Sequence, residues 1–229
     1  MIGNGARSER PMNAPRGRAR RRGADPAFPR LLGERLCLNF ANSMESPIGP
    51  DPEEFLRDYP ALVRWGRHVG VLTEDQVRRL LAEGERRPDE AAATLARALS
   101  LREAIYRLFR SLAHREVPTE QNLATVHKEH VAALAQARLV ATGEGFDVVW
   151  DDGVPVLDRM LWPVARSAVD LLVGEDPTRV RQCTGPADDC GWLFYDVSKN
   201  ANRRWCSMEG CGSQAKMRRY RARRRPARS

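Results

Sequence analysis

Four cysteines fall within 29 residues in the spacing Cys183-x6-Cys190-x15-Cys206-x4-Cys211. Two close pairs on short loops, separated by a hairpin-sized stretch, offer four soft ligands that reach tetrahedral corners at little loop-closure cost. Four thiolates close the coordination sphere of a Zn2+ ion and leave no place for a reactive water, so the expectation is one structural zinc. A disulfide pair and four ordinary core cysteines are the competing readings, and the spacing weighs against both. Between the pairs, Trp192-Leu-Phe-Tyr195 is expected as a strand supplying an aromatic core too small to stand without metal. Cys206-Ser-Met-Glu-Gly-Cys211 is expected as a tight knuckle, with Gly210 easing its turn.

The residues around this module are strongly basic. Residues 199–229 hold eleven Lys or Arg against the single acid Glu209, and residues 1–30 hold eight Arg against Glu9 and Asp25. These segments carry +10 and +6; since the whole chain carries +8, residues 31–198 carry −8. Such segregation places the positive groups for a partner. After Gly212, residues 213–225 have good helix formers, with Ser213 as the expected cap and Pro226 as the stop. Lys216, Arg218, Arg219, Arg221, Arg223, Arg224 and Arg225 occupy nearly every face of that helix, which therefore cannot be a core element. Phosphates relieve its self-repulsion best, and Arg forks also match guanine edges in a major groove. Lys199, Asn200, Asn202, Arg203 and Arg204 extend the surface on the other side of the knuckle. Residues 1–30 lack apolar periodicity and are expected to be a disordered basic tail, either touching phosphates or simply flexible.

Residues 31–176 read as a mainly helical body. The segment LLGERLCLNFANS at 31–43 is strand or helix, and periodicity does not decide. Helical signals follow at Asp51 with Pro52-Glu53-Glu54-Phe55-Leu56, and at Pro60 with Leu62, Val63 and Trp65. Thr73 and Gln76 form a capping box ahead of the stripe Val77, Leu80, Leu81. The longest helix is expected to start after Pro88 and run to about His114, with Leu95, Leu99, Ile105, Leu108, Phe109 and Leu112 inward. Thr119 caps another, carrying Leu123, Val126 and Leu134. Residues 137–150 give a hairpin around Gly143-Glu144-Gly145, closed by Asp151-Asp152. A last helix is expected from about Leu157 to Val173, kinked at Pro163 and stopped by Gly174 and Pro177. Residues 177–182 leave little free linker before the cysteines.

At these residues the chain resembles a known family. Arg181-Gln-Cys183, Asp189-Cys190-Gly-Trp-Leu-Phe194, Asp196, Ser198-Lys-Asn200, Arg203-Arg-Trp-Cys-Ser-Met208, Cys211-Gly212 and Ala215-Lys216 are similar to the CGNR zinc-finger family. In that family the finger follows a helical ABATE domain, which Gly33-Glu-Arg-Leu-Cys-Leu-Asn-Phe-Ala-Asn42 and Leu161-Trp-Pro-Val-Ala-Arg-Ser167 resemble. The resemblance covers about residues 31–225 and implies a bacterial, stress-linked transcription regulator. The fold it implies is mainly α: an ABATE-like sensor domain at 31–176, then a small α+β, treble-clef-like four-cysteine module at 177–225. The family's namesake Cys-Gly-Asn-Arg stands here as Cys211-Gly212-Ser213-Gln214. Without that Arg, expected DNA contact moves to the Arg-rich turns beyond, with Gln214 able to hydrogen-bond a phosphate or an adenine edge.

No Walker loop, dinucleotide fingerprint, G-x-S-x-G or H-E-x-x-H occurs, so no catalytic residue is assigned and a non-enzymatic protein is expected. There is no long apolar run, so a soluble, cytoplasmic protein is expected, nucleoid-associated if the basic helix binds DNA. His127-Lys-Glu-His130 is read as partly exposed helix surface, Asp188-Asp189 as decoration of the first zinc loop, and Cys37 as a buried inert thiol. Asn42, Trp162 and Arg166, polar or amphipathic groups in apolar segments, are the candidates for an effector pocket, against the plainer reading of satisfied buried groups. The expected partner is DNA, with an effector or partner protein for the body; a zinc-stabilised adaptor on RNA or another protein is the alternative. The operator, the effector and the oligomeric state are not encoded legibly.

Overall fold

The longest helix, α4 (Pro88–Ala113), organises the body. Pro88 opens it, and Asp89 and Glu90 in the first turn complement the helix dipole. Its buried face runs through Ala91, Thr94, Ala98, Leu101, Ile105, Leu108 and Phe109 at helical steps. Leu95, Leu99 and Leu112, expected inward, flank that face half-buried and still pack on the core. The protein is described here as a computed structural model, covering residues 28–45, 47–49, 52–143, 145–150, 156–186 and 189–224. The basic tail up to residue 27, Asp51, Glu144, Asp151-Asp152, Asp188, Arg225, Pro226 and the Arg224 side chain lie outside the described residues.

Around α4 pack α1 (Leu36–Ala41), α5 (Glu120–Ala135) and α6 (Leu161–Val173), while α2 (Tyr59–His68) and α3 (Glu74–Arg86) form a hairpin against its flank. Local caps set these helices. Asp58 Oδ1 accepts from Ala61 N at 2.6 Å with Pro60 in the first turn of α2. Thr73 and Gln76 close a reciprocal capping box on α3, at 2.8 and 3.3 Å. Thr119 Oγ1 caps α5 by accepting from Asn122 N. In the predicted stripes, Leu80 and Val126 are buried, Val77 and Leu81 half-buried, and Leu123 and Leu134 exposed. The inner face of α5 is completed by Ala133 and by Glu129, whose buried carboxylate pairs with Arg97 at 2.7 Å.

One open reading is resolved and two expectations are corrected. The undecided segment at 31–43 forms the short buried helix α1. The segment after Asp51, read as helical, is instead β2 (Glu53–Glu54), paired antiparallel with β1 (Met44–Glu45). A long-range charge explains it: the Glu54 carboxylate takes both Arg102 amino groups at 2.6 and 2.7 Å, and Arg102 is almost fully buried on α4. Finally, α6 starts at Leu161, not Leu157, so Pro163 lies in its first turn, where its missing N–H would have no intrahelical acceptor and no kink is required.

The expected hairpin is present as β3 (Ala137–Thr142) and β4 (Gly145–Trp150), in register from Ala137 opposite Trp150 to Thr142 opposite Gly145. After α6, a single 3-10 turn (Pro177–Arg179) leads directly into β5 (Val180–Gln182), which pairs antiparallel with β6 (Leu193–Tyr195). Val180, Leu193 and Tyr195 belong to the same apolar cluster as Leu38, Leu101 and Leu171. The cysteine module is thus continuous with the body core. Among the described residues no helix is long and apolar enough to cross a membrane.

Candidate metal centre and nucleic-acid interface

The β5–β6 hairpin carries Cys183 and Cys190 in the loop between its strands. Gly185 and Gly191 adopt left-handed backbone at φ 66° and 70° there. A Cβ on Gly185 would lie 2.6 Å from Asp189 Oδ1, and one on Gly191 2.7 Å from Ile48, so both positions need glycine. Of the second pair, Cys206 precedes and Cys211 lies within a π-helical turn (Met208–Gly212) that runs without a break into α7 (Ser213–Arg224). Ser207 caps this turn, its hydroxyl accepting from Gly210 N at 3.2 Å. Ser213, the predicted cap, lies one turn too late for that role and donates back to the carbonyls of Glu209 and Gly210. Gly210 has no left-handed backbone, so the knuckle does not depend on glycine there.

All four sulfurs lie within 4.8 Å of one another, and three of the four cysteines are buried. Cys190 Sγ is 3.9 Å from Cys206 Sγ, which is 3.8 Å from Cys211 Sγ. A disulfide needs about 2.05 Å, whereas sulfurs about 2.3 Å from a shared tetrahedral Zn2+ are about 3.8 Å apart. The geometry excludes the disulfide reading for these two pairs and fits the metal. Charge points the same way. Hydrogen bonds from Cys190 and Cys206 pull the Cys183 thiol below its ordinary value. That thiolate in turn pushes Cys190 and Cys206 up, while burial raises Cys211. Four such thiols cannot ionise together unless a cation sits between them; a dication stabilises all four. Gly185 N–H also points at Cys183 Sγ, 3.4 Å away. This is a site for a single structural zinc.

Trp192 and Phe194 pack beside the ligands, as the sequence suggested, but the module borrows the rest of its support from the body. Asn42 Nδ2 donates to Leu193 O at 2.8 Å and Leu193 N donates to Asn42 Oδ1 at 2.9 Å, so a buried side chain on the body pairs both backbone groups of Leu193 at the start of β6. Trp192 Nε1 donates to Met44 O, and Tyr106 OH donates to Gly191 O. Arg35 pairs with Glu175 and stacks 4.2 Å over the Tyr195 ring. Composition gave no signal for Asn42 in this role; its match to a strand edge 151 residues away appears only in three dimensions.

The predicted basic residues separate into two kinds. Gln214, Lys216, Arg218, Arg219, Arg221 and Arg223 are exposed along α7, and Lys199 and Arg204 are exposed before the knuckle. Arg203 is different. Its guanidinium stacks 4.6 Å over Phe194 and donates to Cys206 O at 2.7 Å, so it braces the metal loop from within. Asp196 stood out in the sequence only as part of the family resemblance, with no role; its buried carboxylate accepts from Ser198 N at 2.9 Å and Arg203 N at 2.8 Å. Burial opposes its charge, yet these bonds hold the carboxyl below the usual range.

The effector candidates are not brought together. A half-open recess of about 200 Å3 is lined by Val71, Trp150, Arg159, Trp162 and Pro163. Trp162 belongs to it, whereas Asn42 is committed to Leu193 and Arg166 faces Asp170 on its own helix at 3.5 Å. Cys37 is fully buried, and burial pushes its thiol up to about 12, as an inert core thiol requires. His130 is half-buried, its ring held below its ordinary value by burial, and no metal cluster other than the four cysteines occurs among the described residues.

Residues 34–175 match the family model ABATE, described as "Putative stress-induced transcription regulator", and residues 179–224 match the CGNR zinc finger. A search of curated proteins finds no match. The two matches occur in the order in which the helical body and the four-cysteine site occur here, and the chain belongs to the ABATE family, with a CGNR zinc finger following its helical domain.

Proposed function

We propose that the protein is a transcription regulator that grips duplex DNA with the zinc-anchored helix α7, and that the helical body carries the regulatory input. One observation carries this reading. Cys211 lies in the first turn of a continuous helical segment on which Lys216, Arg218, Arg219, Arg221 and Arg223 are all exposed, with no acidic residue after Glu209. The metal fixes where the charge points, and the charge matches phosphate. In this reading the protein is a binding protein and not an enzyme, its site is the nucleoid, and the recess at Trp150 and Trp162 is the place to seek an effector. The stress link rests on the family's description alone.

Zinc-loaded protein should bind mixed-sequence duplex DNA with an affinity that falls steeply with salt, as counterion release requires. A salt-independent affinity would contradict phosphate contact. The second reading, an adaptor on RNA, draws on Tyr220, half-exposed among the arginines of α7 where an unpaired base can stack. Competition between duplex DNA and structured RNA at matched salt separates the two: RNA displacing DNA at equal concentration favours the adaptor.

A further inference from the structure

The chain between β6 and the second cysteine pair, residues 196–204, is exposed at its tip and unusually well braced at its base. Asp196 N donates to Arg179 O at 2.9 Å. The Asp196 carboxylate clasps both ends of the loop through Ser198 N and Arg203 N. Arg179 Nη1 donates to Asp196 O at 2.8 Å and Ser198 O at 3.2 Å, and Arg181 Nη2 reaches Ala201 O at 3.3 Å. Ala201 is held in left-handed backbone at φ 45°, which a residue with a Cβ adopts only where its surroundings over-determine it. A mere connector from strand to metal knuckle does not need this much restraint.

The outward groups are far less restrained than the inward ones, Arg204 alone meeting a ring, that of Trp205 at 5.5 Å. Lys199, Asn200, Asn202 and Arg204 are all exposed. Among the described residues, the side chains of Lys199, Asn200 and Asn202 have no hydrogen-bond or ion-pair partner. Two amides and two cations sit on a backbone that needs little ordering on binding, leaving only their own rotamers to be fixed. Their chemistry also differs from that of α7. An arginine-covered helix meets phosphates of any sequence, whereas an asparagine amide offers a donor and an acceptor together, the pattern that adenine presents in the major groove.

Resting on the reading of the protein as a duplex-DNA binder, we infer that the loop 196–204 is a second DNA contact and the one that reads sequence. Asn200 and Asn202 meet base edges, Lys199 and Arg204 meet the flanking phosphates, and Asp196 is the positioning residue that sets the loop. Helix α7 supplies affinity and the loop supplies discrimination.

The test is selection from a random duplex library with zinc-loaded full-length protein, followed by affinities for the enriched duplex and a scrambled one. The wild type enriches a motif containing adenine. Asn200→Ala with Asn202→Ala lowers the ratio of enriched to scrambled affinity by about 10-fold or more, with scrambled affinity, salt slope, zinc content and thermal midpoint unchanged. Asp196→Asn gives the same loss with zinc retained. Because the two asparagines are exposed and unpartnered, their variant stays folded even if the Asp196 variant does not. Arg218→Ala with Arg221→Ala does the reverse, weakening both duplexes equally and lowering the salt slope. The inference is overturned if the asparagine variant enriches the wild-type motif with an unchanged ratio, or if the wild type binds DNA in a salt-dependent way but enriches no motif; in both cases α7 as a DNA contact survives. Failure of the wild type to bind duplex at all overturns that reading and the inference with it.

Discussion

The body buries Leu38, Phe40, Leu62, Trp65, Leu101, Ile105, Leu108 and Phe109 in one apolar cluster, whereas the zinc module's own cluster is three ligating cysteines with Trp192 and Phe194. The body has enough area to hold itself together by removing apolar surface from water. The module does not. It is held at one end by thiolates on a metal and at the other by hydrogen bonds to Asn42, Met44 and Tyr106. The finger is thus an extension of the body and not a bead on a string: β5 and β6 contribute Val180, Leu193 and Tyr195 to the main core.

The largest effect should come from the metal. Structural zinc contributes about 10–16 kcal/mol in finger peptides, so chelation should abolish amide protection around the cysteines while α4 keeps most of its own. Hydrogen exchange read by mass spectrometry checks this; equal loss in α4 would show one indivisible unit. Next, Phe109→Ala should cost about 3–5 kcal/mol by opening a cavity in the body. Urea unfolding of the zinc-loaded chain measures it, and a cost under about 1 kcal/mol would mean the site collapses freely.

Asn42→Ala acts at the junction of body and finger, because it strands the buried N–H and C=O of Leu193 without touching a ligand. A loss of about 2–4 kcal/mol is expected, together with faster zinc transfer to a competing chelator. Unchanged transfer would show that the body does not support the metal loop. The smallest effect concerns pH. Cys37 is neutral in the folded and unfolded chain below the ordinary thiol value of about 8.5, so its burial has no pH-dependent cost there. Because burial raises it to about 12, stability should fall as pH rises from the unfolded value toward the folded one. In native zinc-loaded protein at pH 8, iodoacetamide should therefore leave Cys37 unmodified; rapid labelling would show an open core.

Local features were legible in the sequence. The Thr73–Gln76 box, the Thr119 cap, the start of α4 at Pro88 and the four ligands each depend on residues a few positions apart, or on a spacing that one ion dictates. The misread features depend on distant partners. Glu53–Glu54 became a strand because Glu54 is claimed by Arg102, and of the two readings open for Asn42 the satisfied buried group holds, with a partner, the backbone of Leu193, that no local pattern names. Pro163 was misread because the helix start, which decides whether proline is tolerated, was placed four residues early. Arg203 counted as surface charge until Phe194 and Cys206 O showed what holds it.

If zinc positions the basic helix for DNA, losing the metal must cost binding. The most direct measurement compares zinc-loaded wild type with Cys206→Ser for binding to one duplex at matched salt, with metal content determined on the same samples. Metal-free Cys206→Ser binding at least 10-fold more weakly, with a shallower salt slope, is the predicted result. A variant that lacks zinc yet binds as tightly as the wild type would contradict it.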